Sequence, residues 1–152
     1  QVQDEDGLRQ KQRLVQPAAD VQRLAGGQVG PQVAHIDDAE SFVTKDGSSI
    51  REVAGAVSLP SVNQSLAEAT VPPGGATDEH YHRVTEELYY FVAGRGRIRI
   101  EGEEQEVRPG HCVLTPPGQR HKLFNDGDEP LVLLCCCAPM YSHEDTVITE
   151  GA

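Results

Sequence analysis

Short apolar segments alternate with turns through most of the chain. From about residue 34, runs rich in Val, Ile, Leu, Thr and Tyr are separated by Gly- and Pro-containing turns at intervals of roughly 8 to 20 residues. These turns are Asp46-Gly47, Pro72 to Gly75, Gly94 to Gly96, Pro109-Gly110, Pro116 to Gly118 and Asp126-Gly127. Strands of this length, without a long helical period, predict an antiparallel β-sandwich or β-barrel. We therefore expect an all-β protein.

Two of the predicted strands differ in pattern. Residues 97–100 alternate Arg and Ile, which predicts a half-exposed strand with Ile98 and Ile100 facing inward. Residues 88–92 are apolar throughout, so we expect both faces of that strand to be covered, either by the N-terminal region or by a second subunit. A second subunit would make the protein a homodimer, which we take as our expectation.

The N-terminal region has a different composition. Residues 1–34 are rich in Gln, Asp and Gly, and we interpret them as a partly ordered arm, with a short helix from Pro17 to Ala25 that Gly26 and Gly27 would end. The arm could dock against a partner subunit or be a poorly ordered terminus, and the sequence leaves both open. We assign residues 35–152 to a single β-barrel domain, because a chain of this length supports one hydrophobic core.

Charge and composition exclude several kinds of partner. Thirteen basic residues against 24 acidic ones give a net charge of −11, which disfavours nucleic acid. The longest apolar run, residues 131–138, has the length of a strand rather than of a membrane-spanning helix, so we expect no membrane association. No secretory leader is evident, and Cys112 and the three cysteines at 135–137 form no CxxC motif. We expect a cytoplasmic protein with reduced thiols.

Candidate metal ligands begin at residue 80. His80 and His82 are two residues apart, so on an extended strand both imidazoles project from one face. Glu87 follows after a short turn and begins the next strand, close enough to bind the same ion. Glu86 is a competing candidate, but we prefer Glu87 because Tyr89 shares its face of the strand.

A third imidazole comes from a later segment. The turn at residues 116–118 can fold the chain so that His121 opens a strand facing the earlier histidines. Three inward imidazoles and a carboxylate would be costly to bury without a shared cation, which predicts one divalent transition metal, Mn, Fe, Ni, Co or Zn. The metal could serve catalysis or ligand binding, or act only as a structural staple.

Both segments match the motifs of a known superfamily. The sequence resembles the cupins, whose first motif is G-x5-H-x-H-x4-E-x6-G and whose second is G-x5-P-x-G-x2-H-x3-N. The residues that complete them here are Gly74, His80, His82, Glu87, Gly94, Gly110, Pro116, Gly118, His121 and Asn125. The resemblance, which covers about residues 50–138, implies a double-stranded β-helix, or jelly-roll barrel, and a metal bound by His80, His82, Glu87 and His121.

The resemblance also sets the range of functions. Cupins include dioxygenases, decarboxylases, lyases, isomerases and cyclases, so we expect a metal-dependent enzyme acting on a small oxygenated organic molecule. The alternative is a non-catalytic cupin that binds a small acid or sugar through its metal. Glu86 and Tyr89 are the candidate catalytic residues, and we expect Tyr89, Phe91 and Leu123 to line the pocket.

Other residues narrow the choice less. Arg83, Arg120 and Lys122 are expected to face away from the ligands, which argues against a multiply phosphorylated substrate. Residues 138–146 could form a lid or a dimer contact, and the sequence does not distinguish the two.

Overall fold

The structure is a computed structural model that describes residues 30–151. The predicted helix from Pro17 to Ala25 and nearly all of the predicted arm lie outside this range. A short 3-10 helix spans Ile36–Asp38 and is followed by β-strands. The strands are β1 (Ser41–Val43), β2 (Ser49–Gly55), β3 (Leu59–Pro60), β4 (Ser65–Val71), β5 (His80–His82), β6 (Glu86–Ala93), β7 (Gly96–Ile100), β8 (Glu103–Val107), β9 (Cys112–Thr115), β10 (His121–Phe124), β11 (Leu131–Ala138) and β12 (Thr146–Ile148).

The strands form two sheets, which confirms the all-β prediction. The larger sheet has the order β1-β2-β4-β11-β6-β9, with β3 added in parallel beside β2. The smaller sheet has the order β12-β5-β10-β7-β8, and the remaining pairings in both sheets are antiparallel. Strands that are distant in sequence are neighbours in both sheets, as expected for a jelly roll. No helix within residues 30–151 is long and apolar enough to cross a membrane.

The core is built from alternate residues of both sheets. In β4, Ala67, Ala69 and Val71 are buried while the residues between them are half-buried, which is the period-two pattern of a strand with one covered face. Phe91 of β6 is fully buried, and Ile98 of β7 is nearly so, whereas Ile100 packs partly buried against the same core. The inward direction predicted for Ile98 and Ile100 therefore agrees with the structure.

Strand β6 is covered on one face only by the residues that the structure describes. Tyr89 and Phe91 are buried, whereas Leu88, Tyr90 and Val92 stay exposed on the opposite face. Its run of apolar residues therefore does not reflect burial on both sides within residues 30–151. Any cover for the outer face has to come from elsewhere.

Asn125 ties together the two segments that carry the candidate ligands. Its buried side-chain amide donates to the carbonyl oxygens of Val71, at 2.9 Å, and Glu129, at 2.8 Å. Its backbone N–H donates to the Gly75 carbonyl, and its own carbonyl accepts from the Gly74 N–H, both at 2.9 Å. These bonds fix the segment before β5 against the end of β10, so the strands that bear the histidines are held in register.

Candidate metal centre

Four buried side chains converge between the two sheets. His80 and His82 lie on β5, His121 on β10 and Glu87 on β6. One ligand atom from each of the four lies within 4.8 Å of the others. His121 pairs directly with His80 across the two neighbouring strands, so the register of the smaller sheet sets the spacing of these two imidazoles. The structure thus brings together all four residues that the sequence predicted as ligands.

Glu87 lies close to two of the three imidazoles. Its Oε2 lies 3.1 Å from His82 Nε2 and 3.6 Å from His121 Nε2. Its other oxygen, Oε1, accepts a hydrogen bond from the Cys137 thiol at 3.3 Å. One carboxylate oxygen is therefore held by β11, and the other faces the imidazoles.

Each histidine makes a hydrogen bond through Nδ1, the ring nitrogen that points away from the centre of the cluster. His80 Nδ1 lies 2.8 Å from the Asp78 carbonyl oxygen, and His121 Nδ1 lies 2.9 Å from the carbonyl oxygen of Gln119. His82 Nδ1 lies 3.1 Å from the Thr146 hydroxyl, which itself donates to the Ser142 carbonyl. All three Nδ1 atoms are thereby assigned as N–H donors, and each Nε2 lone pair is left to face the cluster.

The chemistry of this donor set calls for a cation. With Nδ1 protonated, three Nε2 lone pairs and a carboxylate oxygen are acceptors that face one another in a buried space. His121 Nε2 has no hydrogen-bond partner among the residues described, although it is fully buried. A divalent ion bound by three imidazole nitrogens and one carboxylate oxygen would satisfy all four, and this N3O set suits Mn, Fe, Co, Ni or Zn.

The pKa values of the metal-free site follow from the same geometry. Burial by itself raises the pKa of Glu87, but the imidazoles of His121 and His82 outweigh it and hold that pKa well below its usual range. Burial lowers the pKa of His82, yet the hydrogen bond to Glu87 and the charge of that carboxylate more than reverse this and raise the pKa above 6.5. For His80, burial and the nearby His121 together lower the pKa. Below pH 6.5 the metal-free site therefore holds a second proton on His82, at the Nε2 that faces Glu87.

We expect metal binding below pH 6.5 to release that second proton. Because a ligand must be deprotonated, affinity should rise about tenfold per pH unit while His82 is protonated, and level off above its pKa. The raised pKa also means that His82 stabilises the metal-free fold fully below pH 6.5 and that this contribution is lost as pH rises through the folded value. Calorimetric titration with Zn²⁺ in two buffers of different ionisation enthalpy measures the released protons. A heat that is the same in both buffers would contradict the assignment.

A cavity adjoins the cluster, and two of the three predicted pocket residues line it. Tyr89 and Leu123 lie on its wall, beside the imidazoles of His80 and His82. Phe91 is buried in the hydrophobic core and is not among the lining residues. Glu86 is exposed on the other face of β6, so the structure does not bring it to the cavity. Tyr89 is thus the one candidate catalytic residue that reaches the site.

Basic residues lie away from the cavity, as the sequence predicted. Arg83 donates to the Glu144 carbonyl oxygen, Arg120 pairs with Glu101, and Lys122 pairs with Glu150. None of the residues that line the cavity is Lys or Arg. His35, His111 and His143 also lie outside the ligand cluster.

Sequence reasoning missed several residues of the site. Asp46 and Tyr141 line the cavity, and Thr146 supports His82 from β12, which pairs with β5. Residues 138–146 thus lead into a strand of the smaller sheet and contribute directly to the site. The sequence does contain a signal for Asp46, because the side chain of a polar residue in an Asp-Gly turn can hydrogen-bond to the nearby backbone. Nothing in the sequence, however, places that turn beside His80.

Comparisons with known proteins agree with this geometry. The family model described as Cupin domain matches residues 67–137, which include all four clustered side chains. An uncharacterized protein of Methanocaldococcus jannaschii, MJ1618, is 46% identical over 114 residues, covering 75% of this chain and 91% of that protein. The chain belongs to the cupin family. These matches also confirm the predicted double-stranded β-helix fold.

Two further proteins that are similar to this cupin, one in sequence and one in fold, carry names that describe an activity. Oxalate decarboxylase OxdC of Bacillus subtilis is 32% identical over 80 residues, which cover 48% of this chain and 21% of that enzyme. The crystal structure of DMSP lyase DddQ from Ruegeria pomeroyi superposes with a TM-score of 0.64 at 23% identity, over 76% of this chain and 64% of that one. At that identity the superposition establishes a shared fold and no shared activity.

Proposed function

We propose that this cupin is a metal-dependent enzyme that acts on a small oxygenated organic molecule. The observation that carries the proposal is the convergence of His80, His82, Glu87 and His121, all within 4.8 Å of one another, beside a cavity. The orphaned Nε2 of His121 supports a cation as the missing partner. The cofactor we propose is one divalent transition metal from the series Mn, Fe, Co, Ni and Zn.

The surroundings of the cluster support a catalytic role over a purely structural one. Four protein ligands leave two positions open on a six-coordinate ion, whereas structural sites are normally closed by protein ligands. When bound, the metal would polarise a carbonyl or hydroxyl group and lower the pKa of a coordinated water. The cavity wall supplies the Tyr89 and Tyr141 rings, which lie within 6.2 Å of the His121 and His82 rings respectively, to position a small molecule.

The residues of the chain divide the work. His80, His82 and His121 are positioned through their Nδ1 hydrogen bonds, and Glu87 is positioned by the Cys137 thiol. Burial raises the pKa of Tyr89 well above 10, and the negative charge of Glu87 raises it further, so its hydroxyl stays protonated at neutral pH and acts as a hydrogen-bond donor to the substrate. Within this scheme Tyr89 orients the substrate, while Glu86 has no role.

Within this class we favour a decarboxylase or lyase. The relatives named above include a decarboxylase at 32% identity and a lyase of the same fold. Both names describe bond cleavage in small oxygenated molecules, which a Lewis-acidic ion next to a tyrosine donor can assist. A dioxygenase would use the same ligands, so oxygen consumption is the measurement that separates the two.

The test combines metal analysis with activity. We expect the protein purified without added metal to contain close to one divalent transition ion per chain, and to release CO₂ or an unsaturated product from small carboxylic or hydroxy acids without consuming oxygen. Oxygen uptake would replace the lyase by a dioxygenase. Binding of such acids with no product formed would favour the alternative, a non-catalytic cupin that captures a small acid or sugar. Protein that binds no metal would remove the proposal.

We also propose that the protein is a homodimer. Leu88, Tyr90 and Leu114 are 40%, 45% and 47% exposed on the outer face of the larger sheet, and Leu88 lies directly opposite Leu114 on the neighbouring strand. A continuous, exposed apolar face of this kind is typical of a subunit interface. A second copy related by a two-fold axis would bury the same residues on both chains.

Leu114→Glu is expected to convert the dimer to a monomer, because it places two charges at the centre of a closed interface. Val57→Glu is the matched control, since Val57 is 73% exposed in the connection between β2 and β3, away from this face. Size-exclusion chromatography with light scattering at micromolar concentration distinguishes the two states. A monomeric parent protein would contradict the dimer.

A further inference from the structure

Asp46 is a buried carboxylate at the wall of the cavity. It lies in the turn between β1 and β2 and is 8% exposed. Three donors converge on its Oδ1: the Thr44 hydroxyl at 2.6 Å, the Ser48 hydroxyl at 2.8 Å and the Ser48 backbone N–H at 3.1 Å. Its backbone carbonyl accepts from the Asp78 N–H at 2.7 Å, which attaches the turn to the segment entering β5. The side chain is therefore held rigidly beside the metal ligands.

The second oxygen of Asp46 is held by none of these donors. Within residues 30–151, Oδ2 accepts no hydrogen bond. The nearest basic atom is His80 Nδ1 at 3.9 Å, and this nitrogen already bonds to the Asp78 carbonyl at 2.8 Å. The Asp46 side chain is nine-tenths buried, so Oδ2 meets little water, and a hydrogen-bond donor on a molecule bound in the cavity would give this oxygen a partner.

The charge of the cavity wall also determines which molecules can bind there. Glu52, 7% exposed, adds a second carboxylate to the wall, and its hydrogen bonds from Val57 and Ser58 both go to Oε1. With Glu87, three carboxylates line the cavity and no Lys or Arg does. A divalent ion would not fully offset three negative charges, so a second anionic group on a bound molecule would be repelled.

We propose that Asp46 Oδ2 accepts a hydrogen bond from a hydroxyl group of the metal-bound molecule, and that the site thereby selects hydroxylated compounds with at most one acidic group. This inference rests on the proposed metal site. Asp46 acts here as a specificity-determining residue, and it binds the part of the substrate that the metal does not hold. The substrate class is a hydroxylated carboxylic acid or an uncharged polyol, and not a di- or tricarboxylate.

The geometry permits one small molecule to reach both groups. Oδ2 lies 3.9 Å from His80 Nδ1, and the ion would be bound by Nε2 of the same ring, so the two are separated by about 8 Å or less. In a three-carbon acid bound through its carboxylate and its α-hydroxyl, a hydroxyl group on the third carbon would lie about 5 Å from the ion, which leaves about 3 Å, the length of one hydrogen bond, to Oδ2.

Three acids that share one chelating head provide the test. Lactate, glycerate and tartronate each carry a carboxylate and an α-hydroxyl, and differ only in a third carbon that is a methyl, a hydroxymethyl or a carboxylate. Co²⁺-loaded protein is titrated with each acid, and the visible absorption of the ion reports binding. We expect glycerate to bind about tenfold tighter than lactate, and tartronate about tenfold weaker than lactate, after correction for their affinities for free Co²⁺.

Asp46→Asn should erase both differences, because an amide nitrogen would replace the free acceptor and the negative charge would be lost. Asp128→Asn, an exposed residue on a loop, makes the same change in net charge and should leave the order unchanged. Since Asp46→Asn could weaken the turn, the order measured on the parent protein tests the inference by itself. Equal affinities for the three acids, or an order that Asp46→Asn preserves, would overturn it. Failure to bind Co²⁺ would instead overturn the metal site, and with it this inference.

Discussion

Glu87→Gln is expected to lower the affinity of the protein for Zn²⁺ or Co²⁺ by at least about 100-fold. This loss is at the upper end of the range found when residues around a metal site are altered. The substitution keeps the size and shape of the side chain but removes the only negative charge among the four clustered residues. It also replaces an oxygen that lies 3.1 Å from His82 Nε2 by an amide that is a far weaker ligand.

Glu86→Gln provides a matched control one residue away. Glu86 is exposed on the opposite face of β6, so the same substitution should change metal affinity less than about twofold. Both variants should fold. Glu86 is on the surface, and the amide oxygen introduced by Glu87→Gln can still accept from the Cys137 thiol, as the carboxylate does at 3.3 Å.

Thermal unfolding provides a second readout. A metal that binds only the folded state stabilises it by about 4 kcal/mol at a free concentration about 1,000 times its dissociation constant. We expect added Zn²⁺ to raise the melting temperature of the parent protein and of Glu86→Gln, and to have little effect on Glu87→Gln. Equal increments in Glu86→Gln and Glu87→Gln would mean that the ion binds elsewhere.

The periodicity of a strand explains why the ligands could be predicted from sequence. His80 and His82 are two residues apart, so any strand through them places both imidazoles on one face. The same rule decides between adjacent residues: once Tyr89 and Phe91 face inward, Glu87 faces inward with them and Glu86 outward. Local spacing is sufficient at these positions because the inward or outward direction of each side chain follows from its neighbours in the same strand.

Residues brought in by distant strands could not be predicted in this way. Thr146 reaches His82 because β12 pairs with β5, and Asp46 reaches the cavity because its carbonyl bonds to the Asp78 N–H. These contacts join parts of the chain separated by 64 and 32 residues respectively, counting from the residue numbers. Period-two patterns carry no information about which strands pair, so the supports of the site depend on the topology.

The outer face of β6 shows a second limit. The sequence at 88–92 has five apolar residues without alternation, and this pattern is the same whether a sheet, a terminal segment or another subunit covers them. Within one chain the structure leaves Leu88, Tyr90 and Val92 exposed. A solution measurement of mass is therefore needed to identify what lies against them.

Gly94→Ala is expected to destabilise the fold by about 3 to 5 kcal/mol, which is large for a single methyl group. Gly94 ends the first cupin motif in the connection from β6 to β7, where its φ is +79°. A Cβ at this position would collide with the Pro130 carbonyl oxygen and lie 2.9 Å from Leu131 Cα. Both atoms belong to the backbone where β11 begins, so relief requires moving the central strand of the larger sheet.

Gly102→Ala separates the two contributions to this loss. Gly102 has a similar φ of +87°, but nothing lies within 4 Å of the Cβ that alanine would add. It should therefore show only the cost of the left-handed conformation, about 1 to 2 kcal/mol. Urea unfolding of both variants measures the difference between their free energies of unfolding. In thermal unfolding, Gly94→Ala should lower the melting temperature by about 10 °C or more. If the two variants lost the same free energy, the close approach of β11 would contribute nothing, and the glycine of the motif would be explained by backbone conformation alone.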